Sequence, residues 1–138
     1  MKKRTHGLVA VSICGLTASD CIDQMKIAAR KNVHVLELRL DSMNGHCRKY
    51  FLQHLQSISQ AFPNIKFILT YRRASHGGPK EISNRNSLKF WKDTFRDHPI
   101  AIHTADWIDL ECELANYLLK WHGDNIGAFE IPWKKVII

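Results

Sequence analysis

Glu37, Arg39 and Asp41 occupy alternate positions in the stretch HVLELRLD, residues 34–41, between leucines that mark a buried strand. Charges so spaced share one strand face. They serve either as a buried structural ion pair, Glu37–Arg39, or as part of a site for a polar ligand or a reaction. A second alternation, Asp109, Glu111 and Glu113 against Ile108, Leu110 and Cys112, poses the same choice, the bland reading being acids that fray into a loop. Ser12 interrupts the apolar run Leu8–Cys14, and Arg72 follows Thr70 and Tyr71 shortly before Gly77 and Gly78. Four strands would thus send Ser12, Glu37, Arg39, Arg72, Asp109 and Glu111 toward a common centre, and the coincidence favours a polar ligand or reaction site.

The elements that must position these groups alternate along the chain. Strands are expected over Leu8–Cys14, Val33–Leu40, Ile65–Tyr71 and Trp107–Cys112, with a fifth beginning at Val136–Ile138. Thr17 or Ser19 caps a helix to about Lys31 that buries Cys21, Met25, Ala28 and Ala29. A second helix runs from Cys47 to Phe62, where Phe51, Leu52, Leu55, Ile58 and Phe62 keep helical spacing and Pro63 ends the run. His76-Gly77-Gly78-Pro79 is a loop. Leu88, Trp91 and Phe95 mark a third helix that stops before Pro99. Leu114–Trp121 is a fourth helix and Gly123–Ile131 a turn region.

Strand–helix alternation without a linker or repeat argues a parallel sheet with helical crossovers. It fits an open doubly wound sheet of five strands or the first part of a (β/α)8 barrel. Helices cover both faces of a doubly wound sheet, so charges deep on one face would cost several kcal/mol each. A barrel instead turns that face inward, toward a cavity that opens at the C-terminal ends of the strands. The fold expected is therefore α/β, about the first four and a half units of a (β/α)8 barrel. Strand order 1-2-3-4-5 would support it; order 2-1-3-4-5 would mark the alternative, a complete binding or signalling module.

Composition excludes other classes. The balance of 20 Lys and Arg against 13 Asp and Glu gives +7, but the basic residues lie in ones and twos, such as Lys2-Lys3-Arg4, Arg48-Lys49, Arg72-Arg73 and Lys134-Lys135. No aromatic-interleaved stripe or recognition helix accompanies them, so a small anionic ligand is preferred to nucleic acid. Cys14, Cys21, Cys47 and Cys112 form no CxxC and suit reduced thiols in the cytoplasm. The eight His are dispersed without HExxH, so a protein-built metal site is not expected. The start MKKRTHG followed by LVAVSICGLTASDC imitates a signal peptide, yet its apolar run is short and Asp20 before Cys21 is a poor cleavage residue. No stretch reaches the ~18 apolar residues of a membrane span.

The segments VSICGLT (11–17), LELRLDS (36–42), ILTYRRASHGG (68–78) and ADWIDLE (105–111), in this order and spacing, resemble type I 3-dehydroquinate dehydratase. The resemblance implies a (β/α)8 barrel, usually a homodimer. It also implies dehydration of 3-dehydroquinate to 3-dehydroshikimate, a step of aromatic amino acid biosynthesis, without an added cofactor. A lysine forms an imine with the substrate ketone, an electron sink that eases removal of the adjacent proton. A histidine serves as general base and acid. By position, Ser12, Glu37, Arg39 and Arg72 correspond to the residues that hold the substrate's hydroxyls and carboxylate. Asp109 and Glu111 would stand near the catalytic His and Lys as supporting groups, and Asp41 is read as a structural acceptor of backbone N–H groups.

The chain departs from the family pattern in two places. His76 stands where many members carry an acid, which leaves it as a substrate-loop residue. Ile138 precedes the Ser-x-His motif and the imine-forming lysine that the resemblance requires. Lys120 sits on a helix, and Lys134 and Lys135 at the wrong end of the fifth strand, to replace that lysine. A closed barrel takes roughly 200 to 250 residues. The expectation is that residues 1–138 are the N-terminal portion of a single barrel domain, from truncation or a split reading frame, and inactive alone. Its partners would be 3-dehydroquinate, with a second copy or a complementing C-terminal half, and neither nucleic acid nor membrane. A degenerate half-barrel kept for interactions is the remaining alternative.

Overall fold

The computed structural model describes residues 7–122 and 131–138. The basic cluster Lys2-Lys3-Arg4 and all but the last residue of the expected turn region Gly123–Ile131 lie outside the described residues. Five strands form one sheet: β1 (Ala10–Ile13), β2 (Val35–Arg39), β3 (Lys66–Thr70), β4 (Trp107–Asp109) and β5 (Val136–Ile137). All four pairings are parallel and the order is β1-β2-β3-β4-β5. Sequential order is that of a barrel wall; a doubly wound sheet reverses direction at a switch point.

Three of the helices, α1 to α3, start where a side chain can answer free N–H groups. In α1 (Ala18–Ala29) the Thr17 hydroxyl accepts from Asp20 N at 3.2 Å, and Cys21, Met25 and Ala28 form the buried stripe. In α2 (Gly45–Ala61) Asn44 Oδ1 accepts from Cys47 N at 2.8 Å, so the helix begins two residues before its first apolar residue. In α3 (Asn84–Asp97) the Ser83 hydroxyl accepts from Asn86 N at 3.1 Å. Trp91 is fully buried, between Phe90 and Phe95, and Phe90 stacks on Tyr71 with ring centroids 3.9 Å apart. Leu36, Leu38 and Leu40 of the β2 stretch join the helix side chains in the core, as their alternation predicts.

Two departures from the sequence reading have physical causes. Pro99 does not leave a loop before β4: it opens a further short helix, α4 (Pro99–Thr104), because a proline needs no donor in the first turn. Lys135 Nζ then donates to the carbonyls of His103 and Ala105, at 2.5 and 2.9 Å, closing the C-terminal end of α4. The second departure concerns β4, which ends at Asp109 rather than Cys112. Leu110 N still donates to Ile137 O at 3.0 Å, but Glu111 O already accepts from Ala115 N, the first bond of α5 (Cys112–His122). Glu111 and Glu113 therefore belong to a helix start, where acids are favoured by the helix dipole. Among the described residues no helix is long and apolar enough to cross a membrane.

Candidate active site

Parallel register places the polar strand residues side by side. Ser12 is the register partner of Glu37, and Arg39 of Thr70, which in turn faces Asp109. Ser12 Oγ donates to Glu37 Oε2. Arg39 does not pair with Glu37, the ion pair that alternation alone suggests. It gives a two-pronged contact to Asp41, Nε to Oδ1 at 3.2 Å and Nη2 to Oδ2 at 2.9 Å. That bond to Asp41 is the main reason the Arg39 guanidinium is held still more firmly in its charged form.

Asp41 is fully buried and also accepts the backbone N–H of Arg72 at 3.1 Å, as the structural reading of this residue expects. The Arg72 side chain turns to Asp109 Oδ2, with Nε at 3.0 Å and Nη2 at 2.5 Å. Arg39, Asp41, Arg72 and Asp109 thus form one connected row at the C-terminal ends of β2, β3 and β4. In the same row Thr70 is buried and its hydroxyl has no partner among the described residues, a polar group of the kind that normally finds one.

Two glycines close the loop over this row. A Cβ on Gly78 would fall 2.1 Å from Arg72 O, so only glycine can pass there. Gly77 takes a left-handed backbone (φ 87°), and its carbonyl lies 3.4 Å from Arg39 Nη2. The Gly-Gly pair therefore holds the backbone against both arginines.

Glu111 is not part of the row. Arg73, which sequence reasoning treated only as one of a scattered basic pair, is its partner. Arg73 N donates to Glu111 Oε1 at 2.8 Å and its Nε to Glu111 Oε2, while Nη2 reaches Glu113 Oε2 at 2.7 Å. Successive residues of an extended segment point opposite ways, so Arg72 and Arg73 divide between the two carboxylate groups. That alternation is the signal that could have found Arg73. His76 lies on the same side, in a 3-10 turn (Ala74–His76), with Nε2 3.4 Å from Glu113 Oε2 and Nδ1 3.0 Å from the Ser75 hydroxyl.

His76, Glu111 and Glu113 form the one group among the described residues whose donor atoms are close enough together to hold a metal ion, within 4.8 Å. The Arg73 fork already bonds both carboxylates, so a cation there would meet a guanidinium. The inner row is also a poor metal cage, because each of its acids is matched by an arginine or, for Glu37, by a hydroxyl. Its chemistry is that of recognition: a hydroxyl, carboxylates and guanidinium groups arranged along the rim of a parallel sheet.

Comparison with solved structures finds the same fold. A type I 3-dehydroquinate dehydratase from Clostridium difficile superposes with a TM-score of 0.63 at 22% identity, over 81% of this chain and 43% of that one. A 3-dehydroquinate dehydratase from Enterococcus faecalis gives 0.57 at 19% identity, over 85% of this chain and 49% of that one. The chain thus spans under half the length of the solved structures it matches. Among curated protein sequences none matches. A family model described as type I 3-dehydroquinase matches residues 9–128, which takes in all four polar strand ends and the glycine loop, and the chain belongs to that family.

Proposed function

We propose that this chain supplies the substrate-binding side of a 3-dehydroquinate dehydratase, a hydro-lyase that removes water from 3-dehydroquinate to give 3-dehydroshikimate. The observation that carries the reading is the row Ser12–Glu37, Arg39–Asp41 and Arg72–Asp109 at the C-terminal ends of sequentially ordered parallel strands. On this reading Ser12 and Glu37 bind substrate hydroxyls. Arg39 and Arg72 each retain guanidinium N–H groups beyond those given to Asp41 and Asp109, and these take the substrate carboxylate. Asp109 aims Arg72, and the loop carrying His76, Gly77 and Gly78 closes over the bound molecule.

The imine chemistry of the family needs a lysine and a histidine that this reading assigns to no residue of the 138. Lys135, for one, is engaged with the carbonyls that end α4. The proposed reaction brings the row together with a segment bearing that histidine and lysine, in a barrel that pairs with a second copy. Its setting is the cytoplasm, where the free thiols of Cys14, Cys21, Cys47 and Cys112 stay reduced.

Calorimetry with 3-dehydroquinate and an absorbance assay for the conjugated product test this directly. The 138 residues should bind the substrate, lose about tenfold or more in affinity with Arg39→Ala or Arg72→Ala, and release no product. Adding a C-terminal half that bears Ser-x-His and the lysine should restore turnover. Robust turnover by the 138 residues alone would overturn the assignment of the missing groups, and binding unaffected by either arginine would overturn the site.

A further inference from the structure

A cavity of about 310 Å³ lies outside the row just described, between the start of α3 and the start of α5. Its apolar walls are Leu88, Leu114 and Tyr117, and its polar lining includes Asn84, Arg85 and Ser87. Arg73, Glu111 and Glu113 also border it, but their charges are already joined to one another. Arg85 is different: it is exposed and has no partner among the described residues.

The N-terminus of α3 adds to that charge. Ser83 answers the N–H groups of Asn86 and Ser87, through its hydroxyl and carbonyl respectively. The N–H groups of Asn84 and Arg85 head the helix, where no intrahelical acceptor exists. A second, independent observation concerns the same cavity. Ser87, 1% exposed, lines the same cavity, and its hydroxyl has no hydrogen-bond partner among the described residues. Buried hydroxyls ordinarily find a partner.

We infer that this cavity binds a small carboxylate with an apolar body. The carboxylate is held by Arg85 and the first amides of α3, and the apolar body lies against Leu88, Leu114 and Tyr117. A guanidinium beside a helix N-terminus suits an anion, and the volume sits at the small end of ligand cavities. The site borders Arg73 beyond β3 and Glu111 beyond β4, so its occupant touches the segment that follows Arg72 without using the inner row.

Benzoate and its neutral analogue benzamide, titrated into the ¹⁵N-labelled chain and followed by amide chemical shifts, provide the test. Benzoate should move the signals of Asn84–Leu88 and of Leu114–Tyr117. Arg85→Ala, a change at an exposed position, should weaken benzoate about tenfold and leave benzamide unchanged. Tyr117→Ala should weaken both. The inference is overturned if benzoate moves no signals there, if its shifts centre on Arg39 and Arg72, or if Arg85→Ala binds it as the parent does.

Discussion

The same device is built twice around β3, once facing the row of Ser12, Glu37, Arg39 and Arg72 and once facing the helices. Asp41 follows β2 and accepts the backbone N–H of Arg72; Glu111 follows β4 and accepts the backbone N–H of Arg73. Each carboxylate also holds an arginine side chain, Arg39 in the first case and Arg73 in the second. The difference lies in what is left over. Arg73 is committed to two carboxylates and its side chain is 12% exposed, whereas Arg72 contacts Asp109 alone and is 39% exposed. The outer group is a clamp, and the inner group keeps donors free for a ligand.

Removing Asp41 should have the largest effect. Its loss strands Arg39 in a poorly hydrated place and frees the Arg72 backbone, and breaking a buried ion pair from one side costs about 3–5 kcal/mol. Asp41→Ala should lower the denaturant midpoint accordingly and abolish binding of 3-dehydroquinate. Asp41→Asn, which keeps an acceptor for Arg72 N, should recover part of the stability. Glu111→Gln should cost less, about 2 kcal/mol, because Arg73 keeps Glu113 and the amide oxygen still accepts. Calorimetry should then find substrate affinity within about threefold of the parent. Equal damage to affinity from Glu111→Gln and Asp41→Asn would erase the distinction between clamp and site.

Gly78→Ala comes next. A methyl group cannot sit 2.1 Å from Arg72 O, so the loop must move away from both arginines. The expected cost is about 1–3 kcal/mol in an unfolding curve, with a larger relative loss in 3-dehydroquinate affinity than Glu111→Gln produces. Affinity unchanged in Gly78→Ala would detach the glycine loop from the inner row.

The comparison also explains what the sequence made legible. The inner row could be read because β2 alternates cleanly and parallel register does the rest: once Glu37 and Arg39 share a face, Ser12, Thr70 and Asp109 follow. Pairing within the row was not legible. Glu37 and Asp41 are each two residues from Arg39, and only the backbone beyond the strand decides for Asp41. The outer clamp was hidden for a different reason. Asp109, Glu111 and Glu113 keep a strand's period straight through the start of α5, so the acids of a helix terminus imitate a strand edge. The short α4, six residues long, completes too few turns to show a period.

An ion pair outside both groups sets the lower end of the scale. Asp93 on α3 accepts from Lys89, one turn before it, and from Arg96 Nη2 at 3.0 Å, three residues after it. The bond from Lys89 is the largest cause that holds its carboxyl below the usual aspartate range; burial, next in size, opposes it, and the charges of Lys89 and Arg96 add to the lowering. A folded pKa below the unfolded one means that Asp93 stabilises the fold above the ordinary aspartate pKa. That contribution is lost as the pH falls through the depressed folded value. The side chains are open to water, 34% for Asp93 and 71% for Lys89, so screening reduces the effect to about 0.3 kcal/mol. Asp93→Asn should therefore differ from the parent near neutral pH and converge with it as the pH falls through that depressed value. About 1 M salt should remove the difference at neutral pH, while leaving most of the Asp41 effect intact. An Asp41 effect that salt removes as readily would mean that the inner row is no more than a surface ion pair.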